Sequence, residues 1–209
     1  PSSIKEINCS YNKLVELPSL MYNISLKKIL CSDNKLTCLP SITNNGLIEL
    51  DCSDNLLSHI DNIYIPHLIY LCCSNNNLTS LPNNMDTSNL IELYCYNNKL
   101  TRLSILPDTL IELHCQYNML TILPPIYNSS LQIIDCSNNQ LTKLPLVSPN
   151  SCIKTFNASH NLITHIGILN KHIKWTIGNN PIKMDCLLQN KHLVGCSDIM
   201  SLNLVEKHP

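Results

Sequence analysis

The chain has 209 residues, a formal net charge of −1 and 14% charged residues, against about 25% in an ordinary soluble domain. So small a charge speaks against the basic surface on which nucleic-acid binders depend. The longest apolar runs, such as 68–73, fall well short of the ~18 residues needed to span a membrane. The opening Pro1-Ser2-Ser3 shows neither a basic nor an apolar leader segment, so it is expected to be a processed or excised end.

From there the sequence repeats itself. Asparagines recur at Asn12, Asn34, Asn55, Asn76, Asn98, Asn118, Asn139, Asn161 and Asn180, with spacings of 22, 21, 21, 22, 20, 21, 22 and 19 residues. Around each lies a common frame, with apolar residues at positions 1, 4, 6 and 11, Asn at 9, and often Leu-Pro at 14 and 15. A clear copy is Leu110-x-x-Leu113-x-Cys115-x-x-Asn118-x-Leu120-Thr121-x-Leu123-Pro124. Positions 4 and 6 share one face of a strand while 3, 5 and 7 take the other. One short strand per repeat is therefore predicted, beginning near residues 6, 28, 49, 70, 92, 112, 133, 155 and 174.

An interval of about 21 residues leaves no room for a full helix on the return limb, and the Leu-Pro pairs favour extended backbone there. The predicted fold is a repeat solenoid with a concave parallel sheet of nine strands and an extended or 3₁₀ convex side. Nine repeats occupy residues 1–182 and a small C-terminal cap residues 183–209. That cap has Cys186, Leu187, Leu188, Leu193, Val194, Ile199, Leu202 and Leu204 to lay over the last repeat. At the other end Ile7, Cys9, Leu14 and Leu17 lack a preceding layer, so either upstream residues cover them or two copies meet through their N-terminal edges, as a homodimer.

The asparagines at position 9 are predicted to be buried, each amide serving backbone groups of its own loop and the adjacent one. This LxxLxCxxNxLTxLP pattern resembles the leucine-rich-repeat family, and its short Leu-Pro repeats resemble those of bacterial effectors of the YopM and IpaH type. The Cys, Asn and Ile content is also similar to that of repeat proteins of giant DNA viruses. The resemblance implies a binding scaffold with no cofactor and no catalytic residues, of the kind effectors use in host–pathogen contact. Ligases of the IpaH type carry their catalytic Cys in a further C-terminal domain. Only 27 residues follow Ile182, so no ligase is implied. Secreted members end in a four-Cys cap, but Met184 stands where one of those cysteines would be, leaving Cys186 and Cys196 as the pair that the resemblance allows.

Of the twelve cysteines, Cys9, Cys31, Cys52, Cys73, Cys95, Cys115 and Cys136 fall at position 6 of successive repeats, where they are predicted to form a buried column of small hydrophobes. In-register strands stand about 4.8 Å apart with parallel side-chain vectors, which disfavours disulfides. A single column also cannot supply tetrahedral metal ligands. Buried thiols suit a reducing, cytoplasmic compartment, the host cytosol if the source is a virus or pathogen. Trp175, at position 4 of the last repeat, is read as an end-of-core residue.

Function is to be sought at positions 3, 5, 7 and 8. Between Asp33 and Asp135 ten acids face three bases, and from Lys143 onward seven bases face three acids. The middle of the sheet face is accordingly predicted to be acidic, through Glu49, Asp51, Glu92, Glu112 and Asp135, with Tyr70, Tyr94, Tyr96, His114 and Tyr117 among them. Either these aromatic residues anchor a partner or they belong to an ordinary solvated face. Glu112, His114 and Asp135 are read as a routine strand row, the rival being a metal or acid–base site. The leading expectation is a non-enzymatic scaffold for a protein with a basic surface, binding neither nucleic acid nor membrane. The rivals are a substrate-recognition arm of a larger enzyme, such as a ligase or kinase, and a structural particle component.

Overall fold

The computed structural model describes residues 3–43, 46–61, 63, 66–85 and 88–190. Among these, nine three-residue strands form one parallel sheet in chain order: β1 (Glu6–Asn8), β2 (Lys28–Leu30), β3 (Glu49–Asp51), β4 (Tyr70–Cys72), β5 (Glu92–Tyr94), β6 (Glu112–His114), β7 (Ile133–Asp135), β8 (Thr155–Asn157) and β9 (Lys174–Thr176). Every strand pairs in register with its neighbours, so Glu49, Tyr70, Glu92 and Glu112 follow one another along one row. The return limbs are extended, with isolated parallel bridges at Ile42–Ile63 and Ile126–Val147. A helix, α1 (Met184–Gln189), follows β9.

The core is a stack of columns. Position 4 is buried from Ile29 to Trp175, and position 6 from Cys31 to Ile177. Where Phe156 enlarges position 4, Ala158 replaces Cys at position 6 of the same repeat, so the layer keeps its volume. Phe156 stacks on Trp175 at 4.8 Å, and the indole Nε1–H donates to the Asn170 carbonyl. Trp175 thus closes the stack. Further along the chain Asn190, 2% exposed, accepts from the Leu169 N–H at 2.8 Å and donates to the Gly167 carbonyl at 3.0 Å, seating the end of α1 against the return limb of the eighth repeat. The expected cap residues Leu193, Val194, Ile199, Leu202 and Leu204, and Cys196, lie outside the described residues.

The asparagine ladder carries the turns. Asn55 Nδ2 donates to the Cys52 and Ser53 carbonyls of its own turn and to the Cys31 carbonyl of the preceding turn, and its Oδ1 accepts from the Leu36 N–H, all within 2.9–3.2 Å. The same set recurs from Asn34 to Asn180. Asn12 departs from the expectation of burial. Among the described residues its amide reaches only the Cys9 and Ser10 carbonyls of its own turn, and it stays exposed. Asn34 and Asn180, near the ends, are half-buried.

Each turn passes through a left-handed residue at position 8, with φ between 52° and 57° at Tyr11, Asp33, Asp54, Asn75, Asn97, Tyr117, Asn138, His160 and Asn179. Asn, Asp and His tolerate this region better than other non-glycine residues, which explains seven of the nine residues but not Tyr11 and Tyr117. Its N–H is held by the position-7 carbonyl of the next layer, as in Asp54 to Ser74 at 3.0 Å.

Six ladder cysteines are buried and free, whereas Cys9, in the uncovered first layer, is only half-buried, against the expectation for all seven. Ile7, Leu14 and Leu17 are likewise half-buried at that end. Burial pushes the Cys31 thiol from 9.0 up to about 12 and drives Cys52, Cys73, Cys95 and Cys115 well above their ordinary value. A folded state that keeps these protons while the unfolded chain sheds them loses stability as pH rises.

Three outcomes are expected. Asn98→Leu leaves the Leu78 N–H and the Cys73, Cys95 and Tyr96 carbonyls without the amide and should cost about 1–3 kcal/mol by denaturant titration. Asn12→Leu should cost less than about 0.5 kcal/mol. The stability of the parent chain should hold below about pH 9 and fall from there towards about pH 12, where the folded Cys31 thiol itself ionises. In native protein Cys38 and Cys152, both exposed, should react with a thiol reagent long before the six buried thiols.

Candidate functional site

On the open face of the sheet the aromatic residues of adjacent strands meet. The Tyr70 and Tyr94 rings lie 5.6 Å apart at 42°, and Tyr94 stacks on His114 at 4.8 Å and 10°. This line follows from register, because Tyr94 on β5 stands opposite His114 on β6. Tyr94 also organises the carboxylates. Its hydroxyl lies 3.1 Å from Glu92 Oε2 and 3.2 Å from Glu112 Oε2 and donates between these two register partners. His114 Nε2 approaches the same Glu112 oxygen at 3.4 Å. Desolvation first, then the Glu92 hydrogen bond and the Glu112 charge, push the Tyr94 phenol well above its ordinary value. Desolvation does the same for Tyr70.

Other expected face residues are placed differently. Tyr96 and Tyr117 do not join the aromatic line: among the described residues no ring contact links either to Tyr94 or His114. Tyr117 is a left-handed turn residue, 58% exposed, beyond the end of β6. Asp51 and Asp135 are half-buried turn formers. Each Oδ1 accepts from the N–H and hydroxyl of the serine two residues on, Ser53 or Ser137, and Asp135 Oδ2 also accepts from Asn157. Asn157 repeats the motif with Ser159, so an Asp/Asn-x-Ser pattern marks an Asx turn. Position 7, expected on the face, is buried serine at Ser32, Ser53, Ser74 and Ser137. Glu49 is paired with Lys28.

The acidic centre therefore narrows to Glu92 and Glu112 around Tyr94. Glu112 and His114 do approach each other, but Asp135 is committed to its turn, and among the described residues no group of three or more His, Cys, Asp or Glu is placed to hold a metal ion.

One surface feature lies outside the expected residues. Position 2, just before each strand, is isoleucine in four consecutive repeats, Ile48, Ile69, Ile91 and Ile111. Ile48 and Ile69 are 37% and 39% exposed. With Lys27 and His67, Ile48, Ile69 and Ile91 line a groove of about 630 Å³ along the flank of the solenoid. The signal was present in the sequence as Leu-Ile-x-Leu at residues 47–50, 68–71, 90–93 and 110–113, but inward strand parity conceals it, because position 2 precedes the strand.

Tyr94→Phe should remove the donor shared by two facing carboxylates and lower stability by about 0.5–1.5 kcal/mol. Tyr94→Ala, which also removes both ring contacts, should cost more than Tyr94→Phe. Equal melting behaviour of the two variants would show that the stack contributes nothing.

A family model described as Leucine Rich Repeat matches residues 130–152. No curated protein matches the sequence. Among solved structures, YopM of Yersinia pestis, described as a leucine-rich effector protein, is 28% identical with a TM-score of 0.69, over 86% of this chain and 56% of that one. YopM of Yersinia enterocolitica is 24% identical with a TM-score of 0.65, over 88% of this chain and 48% of that one. The functional domain of InlJ of Listeria monocytogenes, described as including a cysteine ladder, is 24% identical with a TM-score of 0.61, over 92% of this chain and 52% of that one. The chain thus spans about half the length of these structures. The repeat frame, the parallel sheet and these likenesses agree: the chain has the leucine-rich-repeat fold and is similar to YopM-type effectors.

Proposed function

We propose that this chain is a protein-binding scaffold whose open sheet face takes a cationic partner at the centre formed by Tyr70, Glu92, Tyr94, Glu112 and His114. The observation that carries this reading is the hydroxyl of Tyr94, the middle ring of a row of three, bridging Glu92 and Glu112. The bridge holds two carboxylates side by side and leaves them half-exposed. A guanidinium or ammonium group laid there gains charge-assisted hydrogen bonds and a ring face together. Leucine-rich repeats generally mediate protein–protein contact, and an open sheet without a deep cavity suits a protein better than a small molecule. The likeness to YopM, itself described as an effector, supports a partner from a host cell.

The test is binding of a fluorescent Arg-rich peptide to the intact chain. Tyr94→Ala should weaken binding about tenfold or more, mainly through faster dissociation. Glu92→Gln with Glu112→Gln should chiefly slow association and flatten its dependence on salt. Affinity that survives both changes yet falls on mutating Arg102 or Lys143, exposed on the convex side, would refute the proposal.

A further inference from the structure

The flank groove and the acidic centre are adjacent. In each of repeats three to six the isoleucine at position 2 is followed directly by the first residue of the strand, giving Ile48-Glu49, Ile69-Tyr70, Ile91-Glu92 and Ile111-Glu112. An aliphatic stripe, exposed at Ile48 and Ile69 and half-buried at Ile91 and Ile111, therefore runs beside the sheet face along the solenoid axis, with one step per repeat.

Two physical facts restrict what can lie there. The backbone is already used, since the Ile48 N–H bonds to the Lys27 carbonyl, Ile69 to Ile48 and Ile91 to Ile69, at 2.8–2.9 Å. A strand laid against this edge would find no backbone partners, whereas a helix brings its own hydrogen bonds satisfied. Spacing gives the same answer. Repeats step by about 4.8 Å and same-side residues of an extended peptide by about 6.7 Å, a mismatch of about 5.7 Å after three steps. A helix places one stripe residue per turn of about 5.4 Å and drifts by only about 1.8 Å over the same distance.

Resting on the sheet-face reading above, we infer that the partner docks as an amphipathic helix along the solenoid axis. Its aliphatic stripe fills the groove over Ile48, Ile69 and Ile91, and basic residues along one flank reach Glu92 and Glu112. The apolar stripe supplies burial and the carboxylates set its orientation about its own axis. An acidic flank would be repelled by the same two groups.

Three labelled synthetic peptides of equal length test this by fluorescence anisotropy against the intact chain. The first has leucines at helical spacing with lysines along one flank, the second has a central proline, and the third carries glutamates in place of the lysines. The first should bind, and the second and third should each bind at least about tenfold more weakly. Ile48→Asn with Ile69→Asn, at side chains exposed enough to leave the core intact, should weaken the first peptide about tenfold or more. Equal binding of the proline peptide, no binding of the first, or full affinity of the isoleucine variant would each overturn the helix. If the isoleucine variant is unaffected while Tyr94→Ala and the Glu92/Glu112 pair still weaken binding, the sheet-face reading stands and only the helix falls. If the isoleucines matter and the face residues do not, the sheet-face reading fails and takes the basic flank with it.

Discussion

A single side-chain amide sets the terms for the whole molecule. Each coil must leave its strand through a tight turn, and a turn between packed layers carries carbonyls that water cannot reach. The position-9 asparagine meets this need by donating to two carbonyls of its own turn and one of the turn before, while accepting from a backbone N–H of the previous coil. Because its reach is fixed, successive coils must stay in register. The parallel sheet, the cysteine column and the rows on the open face all inherit that register. The turn backbone is bonded forward to the next layer and the amide backward to the previous one, so each turn is held from both sides except those of the first and last repeats.

That division of labour leaves the outward strand positions free to vary. Positions 4 and 6 are filled to core density and tolerate only exchanges such as Phe156 with Ala158. Positions 3 and 5 bear little of the fold's energy, and there the chain has placed a tyrosine–histidine line and two bridged carboxylates. In-register strands convert five scattered residues into one contiguous surface. They do the same for the isoleucines at position 2, so chemically opposite stripes run side by side. Their contrast makes an amphipathic ligand the natural complement, and the saturated backbone beside the isoleucines makes a helix its natural form.

Much of this was legible in the sequence because the repeat does the alignment. Nine strand starts, from Glu6 to Lys174, follow from the asparagine spacing and two-residue parity alone. Parity assigns a residue to a face, but it does not say where a side chain on that face turns. Asp51 and Asp135 sit where parity puts them, yet they bend back to Ser53 and Ser137 because an Asx turn satisfies a nearby N–H. Tyr117 shares a repeat with His114, yet it lies in the left-handed turn beyond the end of β6. Asn12 and Cys9 carry the repeat's signature residues without its burial, because a pattern of spacing contains no information about the layer that precedes them. The turn column and the isoleucine stripe were readable in principle, one from its Asn, Asp and His content and the other from Leu-Ile-x-Leu.

The claim that the asparagine amide couples the coils is tested most directly by native-state hydrogen exchange at the Leu78 amide, which donates to Asn98 Oδ1 at 2.9 Å. In the parent chain this N–H should exchange only through global unfolding. In Asn98→Ala it should lose protection by about tenfold or more beyond the change in global stability, while the Leu36 amide, held by Asn55, shifts only with the global change. Equal loss at Leu36 and Leu78, or none at Leu78, would contradict the account.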